Sequence, residues 1–434
     1  MQSLNKNIFN TLLTQLPSLI ISIVAGIFIT RLLGPEGKGV FSVYLANIEI
    51  MTLMFSFGTQ QGIIYFISNE KINEQKIQAV SLIVFFIAIF FNSIIIFNVS
   101  NRIIFVDNYN DLFYKLFLFF VFAISFINSI IIAFLKAKKQ FKKVNLVMLI
   151  SSALNLITYF AVYILNKFSL INSSIRLIFI VSIALIIINL IFYLVFFLKT
   201  YSFKPNFNLK LKTDIFPFYK FSFVGFLGML VNFLNYRLDI WFVSYFKGTI
   251  QLGLYALAVN FSQLIMMISK IISSVMMPYL SEDDIKQRRN IFQLYSRVNF
   301  FVISIGVAIL YFVGNFLLVF LYGQDFYGSI APFKILIISM IFTGTSQLFS
   351  SYISASGRND LCLYTNITGL VFTVVLDIVL IPKYGIIGSA YATFFSYLSI
   401  FLVYFAILII KDKFSIKQLF IIRISDFKTI LNRE

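Results

Sequence analysis

The chain is predicted to be an all-α polytopic membrane protein with about twelve transmembrane helices in two six-helix lobes. Three observations lead there. Of its 434 residues, 60% are hydrophobic and only 12% charged, with a mean hydropathy of +0.92; a soluble domain carries about 25% charged residues. Apolar runs of roughly 20 residues, the length that crosses a bilayer, recur along the whole chain. The positive charges alternate with the connections between those runs, as loops on the two sides of a membrane do.

Twelve runs meet the length and apolarity criteria: 10–33, 40–67, 79–99, 112–135, 145–165, 175–198, 217–245, 252–278, 296–322, 331–355, 361–381 and 386–410. The connections are short, the longest lying near 99–111, 199–216 and 279–295, and none houses a soluble domain. The N-terminus and every even-to-odd connection, taken as one side, hold 22 of the 35 Lys and Arg residues; the opposite side holds 6, and 7 lie in or near spans. This bias predicts both termini in the cytoplasm. It also accounts for most of the net charge of +18 as a topology signal, which argues against nucleic acid as a partner. No cleavable signal peptide is expected, because the first apolar run continues into Gly34-Pro-Glu-Gly37 without a small-residue cleavage site.

The residues that are missing exclude chemistry. Histidine is absent, which removes His-based acid–base catalysis and His metal ligands. The single cysteine, Cys362, allows neither an internal disulfide nor a Cys-cluster metal site. Neither an enzyme nor a bound cofactor is expected.

A weak internal repeat divides the chain. Gly39-Val-Phe41-Ser-Val-Tyr44 opens the second predicted span, and Gly253-Leu-Tyr255-Ala-Leu-Ala258 opens the eighth in the same way, 214 residues later. This offset predicts a parallel repeat. The predicted organisation is an N-terminal lobe over 1–198, a basic cytoplasmic linker over 199–216, a C-terminal lobe over 217–411 and a cytoplasmic amphipathic tail over 412–434. The tail alternates apolar and basic residues and is expected to lie on the inner membrane surface.

Three segments carry a family resemblance. Ile29-Thr-Arg31-Leu-Leu-Gly34-Pro35-Glu36-Gly37-Lys-Gly39-Val-Phe41 resembles the first hairpin of bacterial polysaccharide-export flippases. Arg237-Leu-Asp239, followed by Gly253-Leu-Tyr255-Ala-Leu-Ala, resembles their seventh-to-eighth helix region, and Pro382-Lys-Tyr-Gly385-Ile-Ile-Gly388-Ser-Ala-Tyr-Ala-Thr393 the start of their last helix. These are O-antigen and teichoic-acid-type exporters of the multidrug/oligosaccharidyl-lipid/polysaccharide (MOP) superfamily. The resemblance implies a MATE-like fold in the inner (cytoplasmic) membrane of a bacterium. It implies a substrate, an undecaprenyl-diphosphate-linked oligosaccharide, flipped from the cytoplasmic to the outer leaflet by alternating access. The partners would be that substrate, membrane lipids, a polysaccharide polymerase and assembly proteins.

Polar stripes within the spans mark candidate cavity residues, since residues spaced three and four apart share a helix face. The seventh span offers Gly225, Gly228, Asn232, Asn235 and Asp239; the eighth Asn260, Gln263, Lys270 and Ser274. Glu49 belongs to a stripe in the second span and Asp377 to one in the eleventh. Lys270 sits deep in its span and is the strongest candidate cavity cation. Arg237 is as deep but lies nearly opposite Asp239 on its helix, so either it meets a neighbouring helix or the helix bends near Gly225 and Gly228. Arg31 and Arg297 lie near span ends, where snorkelling to the interface competes with a site role. Lys and Arg would offset desolvation of a diphosphate, Arg by bidentate bonding. Asn232, Asn235, Asn260 and Gln263 would meet sugar hydroxyls. Glu49, Asp239 and Asp377 would pair with the cations, or one of them would bind a coupling proton or Na⁺.

Two rival readings differ in ligand or chemistry. An ion-coupled multidrug exporter of the same fold needs an acidic cavity, whereas here the candidate cations at least match the acids. A membrane polysaccharide polymerase usually carries a large extramembrane loop with catalytic groups, which this chain lacks. The Gly34–Gly39 run lacks the spacing of a phosphate-binding loop and is expected to be a tight hairpin.

Overall fold

The computed structural model describes residues 2–98, 109, 111–171, 174–280, 285–423 and 425–426. Its helices are α1 (Gln2–Ser56), α2 (Thr59–Ser68), α3 (Glu74–Asn98), α4 (Leu112–Ala137), α5 (Phe141–Lys167), α6 (Ile175–Thr200), α7 (Phe216–Ser262), α8 (Met266–Leu280), α9 (Ile285–Tyr322), α10 (Ile330–Ala355), α11 (Asn359–Ala406) and the short α12 (Ile416–Phe420). Among the described residues, nine helical segments are long and apolar enough to cross a membrane. Three of these are broken at a single glycine, Gly34 in α1, Gly248 in α7 and Gly385 in α11, and so make twelve spans.

Each break is a reversal. In a straight helix, residues 16 apart are separated by about 24 Å. Yet the Tyr255 hydroxyl donates to Asp239 Oδ2 at 2.5 Å across Gly248. Thr373 Oγ1 donates to Ser396 Oγ at 2.8 Å across Gly385. Phe28, Ile29 and Phe41 join one cluster around Gly34. Gly34 (φ 61°, ψ −177°) and Gly248 (φ 77°, ψ −178°) adopt a backbone region that is essentially closed to residues with a side chain. These two glycines are 214 residues apart, the offset of the sequence repeat. The hairpin expected at Gly34 is present.

Two expectations about continuity are corrected. The second predicted span, 40–67, is interrupted at Phe57 (φ 44°) and Gly58 (φ 74°). A Cβ at Gly58 would collide with the backbone of Ser222 on α7, so the break is where the chain lets α7 approach. The eighth, 252–278, carries a 3-10 turn at Gln263–Ile265 between α7 and α8. Conversely, α7 does not bend at Gly225 or Gly228; its one non-helical residue is Gly248.

Packing divides the chain into two compact units, Pro17–Phe233, and Leu234–Glu434 together with Met1–Leu16. The division falls inside α7 rather than within 199–216. In the first unit, Tyr44, Tyr114, Phe117 and Phe179 form an aromatic cluster with ring centres 4.4–6.1 Å apart, most pairs edge-on. The basic stretch after α6 is strapped to this unit rather than free. Tyr201 donates to the Phe134 carbonyl (2.7 Å), the Asn206 amide to the Gln75 carbonyl (2.9 Å), and Lys76 pairs with Asp214 at 2.7 Å.

In the second unit, Phe292, Phe349 and Tyr352 form a core that also buries Phe414 and Leu419. The described part of the tail therefore packs on this core through Phe414 and Leu419. Arg297 Nε and Nη2 donate to Asp426 Oδ2 and Oδ1 at 2.7 and 2.6 Å, and Nη1 donates to the Gln418 carbonyl at 3.1 Å. Arg358 makes a second bidentate pair, with Asp412, at 3.0 and 2.8 Å.

Gly58→Ala is expected to destabilise the protein by about 1–3 kcal/mol from the backbone conformation alone. Gly228→Ala, at a helical position with no atom within 4 Å of the new Cβ, is expected to be neutral or to gain up to about 1 kcal/mol. Thermal denaturation in detergent micelles measures both. Burial pushes the Asp426 carboxyl up, but the hydrogen bonds from Arg297 and the Arg423 amide outweigh it and hold the group below its usual range. The tail contact is therefore fully formed above about pH 4 and lost as pH falls through the depressed value. Hydrogen exchange of residues 414–423 is expected to accelerate in that acid window and, at neutral pH, in Asp426→Ala.

Candidate functional site

The second unit buries a polar cluster where a membrane protein would ordinarily place apolar side chains. The reversals at Gly248 and Gly385 build it, because each returns a polar residue to the level of an acid on the same helix. Asp239 on the first arm of α7 accepts from Tyr255 on the second arm (2.5 Å), and the Tyr255 hydroxyl also meets Thr393 Oγ1 at 3.1 Å. Asp377 and Ser389 lie on the two arms of α11, both with no measurable exposure. Asp377 interacts electrostatically with Asp239, and Ser389 places its hydroxyl in the same neighbourhood. Neither Asp377 carboxylate oxygen has a hydrogen-bond partner within bonding distance among the described residues.

A second layer lies along the same helices. Asn235 Nδ2 donates to the Asn366 carbonyl at 2.8 Å, while its Oδ1 is buried with no donor among the described residues. Ser396 Oγ donates to the Gly369 carbonyl at 2.9 Å. Gly369 is needed here: a Cβ would press on Ile400 and come within 3.4 Å of Asn235 Oδ1. The cluster thus presents two carboxylates, one amide oxygen and the hydroxyls of Thr393 and Ser389. Oxygen donors of this kind suit a proton or a hard cation, and nothing in the set suits a soft transition metal. Among the described residues no group of three or more His, Cys, Asp or Glu gathers as a multivalent metal site would require.

The predicted site residues fall into separate places. Asn235, Asp239 and Asp377, expected to line an open cavity, are buried inside the second unit, at 6%, 6% and 0% exposure. Arg237 lies within electrostatic range of Asp239, of Lys270 on α8 and of Tyr397 on α11. Lys270 and Asn260 are exposed on the surface of this unit, and Gln263 is half-buried in the 3-10 turn. Glu49 and Asn232 are exposed on the first unit, and Arg31, also exposed there, reaches the Tyr163 hydroxyl at 3.3 Å. Arg297 leaves the candidate set, because its guanidinium is bound by Asp426 and Gln418 and helps hold the tail.

Periodicity missed Tyr255, Thr393 and Ser389. A tyrosine, a threonine or a serine on a membrane helix reads as ordinary packing. The available signal was position, since all three lie in the runs that follow the glycine reversals.

The comparisons agree with this architecture. Residues 4–283 match the family described as Polysaccharide biosynthesis protein. An uncharacterized membrane protein of Methanocaldococcus jannaschii is 38% identical over 79 residues, a match covering 18% of this chain and 19% of that protein. Among solved structures, the inward-facing conformation of a multidrug resistance MATE family transporter of the MOP superfamily superposes with a TM-score of 0.68 at 13% identity, covering 92% of this chain and 96% of that one. The lipid II flippase MurJ in an inward closed conformation gives 0.65 at 18% identity, covering 96% and 90%. A MOP superfamily transporter from Pyrococcus furiosus gives 0.63 at 13%, covering 94% and 97%. With a family match over well over half its length and the MOP transporter fold over nearly all of it, the chain belongs to the polysaccharide biosynthesis protein family.

Proposed function

We propose that the protein flips an undecaprenyl-diphosphate-linked oligosaccharide from the cytoplasmic to the outer leaflet of a bacterial cytoplasmic membrane. It does so by alternating access and without catalysis. The observation that carries this reading is Lys270, exposed within a membrane-spanning segment, about two turns from its end. A lysine facing lipid costs up to about 2.5–3.5 kcal/mol, so an exposed one within a span faces a hydrated cleft. There it attracts an anionic headgroup, and Arg237 beside it adds a guanidinium suited to phosphate. Asn260, exposed on the same unit, supplies a neutral hydrogen-bonding group to the sugar. The excess of Lys and Arg on one side supports cytoplasmic termini. A polymerase and assembly proteins would take the delivered oligosaccharide.

The buried acids suit the energy input. Two carboxylates in one low-dielectric neighbourhood repel when both are ionised. Arg237 supplies one counter-charge to Asp239. A proton or Na⁺ at Asp377 supplies the other, and its uptake and release would alternate with headgroup binding.

Transport is measured in proteoliposomes holding a fluorescent undecaprenyl-diphosphate oligosaccharide, with the outer leaflet bleached chemically. Lys270→Ala is expected to slow flipping about tenfold or more, the scale of one lost hydrogen bond to a charged group. Unchanged flipping by correctly folded Lys270→Ala removes the lysine from the mechanism. Asp377→Asn is expected to abolish stimulation by a pH or Na⁺ gradient; an undiminished gradient response sinks the coupling assignment. Glu49, an acid exposed at mid-span on the first unit, favours a second reading as an exporter of cationic compounds. Efflux of a cationic dye from cells, lost in Glu49→Gln, would support that reading over the first.

A further inference from the structure

The first unit has an open cavity of about 520 Å³ lined by α1, α4, α5 and α6. That volume lies within the range of small-molecule sites, roughly 300–1,000 Å³. More than half of the side chains lining it carry a hydroxyl or an amide, and none carries a charge. Three amides converge there from three helices, Asn128, Asn155 and Asn189. Each lies near the middle of its span, the depth at which polar groups are hardest to satisfy. Asn189 Nδ2 donates to Ser151 Oγ at 2.8 Å, which aims its carbonyl oxygen away from that bond. The Oδ1 atoms of Asn128 and Asn189 are buried and have no donor among the described residues. Tyr159 and Tyr193 add aromatic surface to the wall. Gly26 of α1 faces open space, with no atom within 4 Å of the position a Cβ would take.

These features define the ligand by exclusion. A cationic compound would find no carboxylate and a diphosphate no lysine or arginine. An apolar ligand would strand the amides. A neutral, polyhydroxylated ligand satisfies donors and acceptors together and lays its C–H faces on the tyrosines. We propose that this cavity is a carbohydrate-binding site, which holds neutral sugar residues of the transported oligosaccharide. The identity of the occupant rests on the flippase reading; the chemistry of the site does not. The cavity was not read from the sequence, because single asparagines in long apolar runs look like helix-packing residues. Its signal was that all three stand near mid-span, with serines close by on the same helices.

The test uses the purified full-length protein in detergent micelles and N,N′-diacetylchitobiose as probe, followed by saturation-transfer NMR. Binding by the unaltered protein, weakened at least tenfold in Asn155→Leu and in Gly26→Leu, is the expected result. Gly26→Leu fills the cavity at a helical position without a Cβ clash, so it tests the site without depending on the fate of a polar-to-apolar change. Absence of binding by the unaltered protein, or binding undiminished in both variants, overturns the proposal. A second measurement places Asn155→Cys in a Cys362→Ser background and follows its alkylation by N-ethylmaleimide. The disaccharide is expected to slow the reaction at least threefold there and to leave an exposed Ser169→Cys control unchanged. Equal rates with and without disaccharide count against the site. Flipping of the lipid-linked substrate without disaccharide binding rejects this site alone. Disaccharide binding without flipping keeps the site and rejects the flippase reading.

Discussion

Burying two carboxylates inside a membrane-spanning unit is the demand that organises the second half of this chain. Asp239 and Asp377 need polar neighbours, and each helix's own course offers only one a turn away, Asn235 before Asp239 and Thr373 before Asp377. The reversals at Gly248 and Gly385 solve this by bringing Tyr255 back to Asp239, and Ser389 back to the neighbourhood of Asp377. The carboxylates thus depend on two backbone conformations that only glycine adopts readily. The cost of the acids and the position of the glycines are one design problem.

The same residue types are used for opposite purposes. Arg297 and Lys270 are both cations predicted within or near spans. Arg297 is enclosed, bonded through three nitrogens, and its loss would free the tail. Lys270 is exposed and held by no comparable network. A buried cation with fixed partners maintains a fold, whereas an exposed one at membrane depth is available to a ligand. The two units differ in kind as well. The second unit buries two acids among its spanning helices, whereas the lining of the first unit's cavity carries amides and hydroxyls and no charge.

The architecture was legible because the bilayer fixes span length and leaves little freedom in composition. The run around Gly34 announced its hairpin through its glycines and proline, and the repeat marked the matching start of the eighth span at Gly253. What was not legible depended on distant partners. Nothing near Gly58 in the sequence foretells the Ser222 backbone that forces its break. Arg297 could not be assigned while Asp426, 129 residues later, was unknown to be its partner. Helical spacing grouped Asn235 with Asp239 correctly on one face, but a face has no label. Only packing shows that it looks into the unit rather than onto a cleft.

The glycine reversals also bear on how such a chain enters a membrane. A pair of helices joined through one residue has almost no loop to carry across, and little hydrophilic chain must pass through the apolar layer at Gly34, Gly248 or Gly385. Each such pair can enter as a single helical hairpin, its two arms shielding one another's polar groups from lipid during passage. Asp239 would then reach the hydrocarbon already hydrogen-bonded to Tyr255. The residue most hostile to insertion would be accompanied from the start by the neighbour that makes it tolerable.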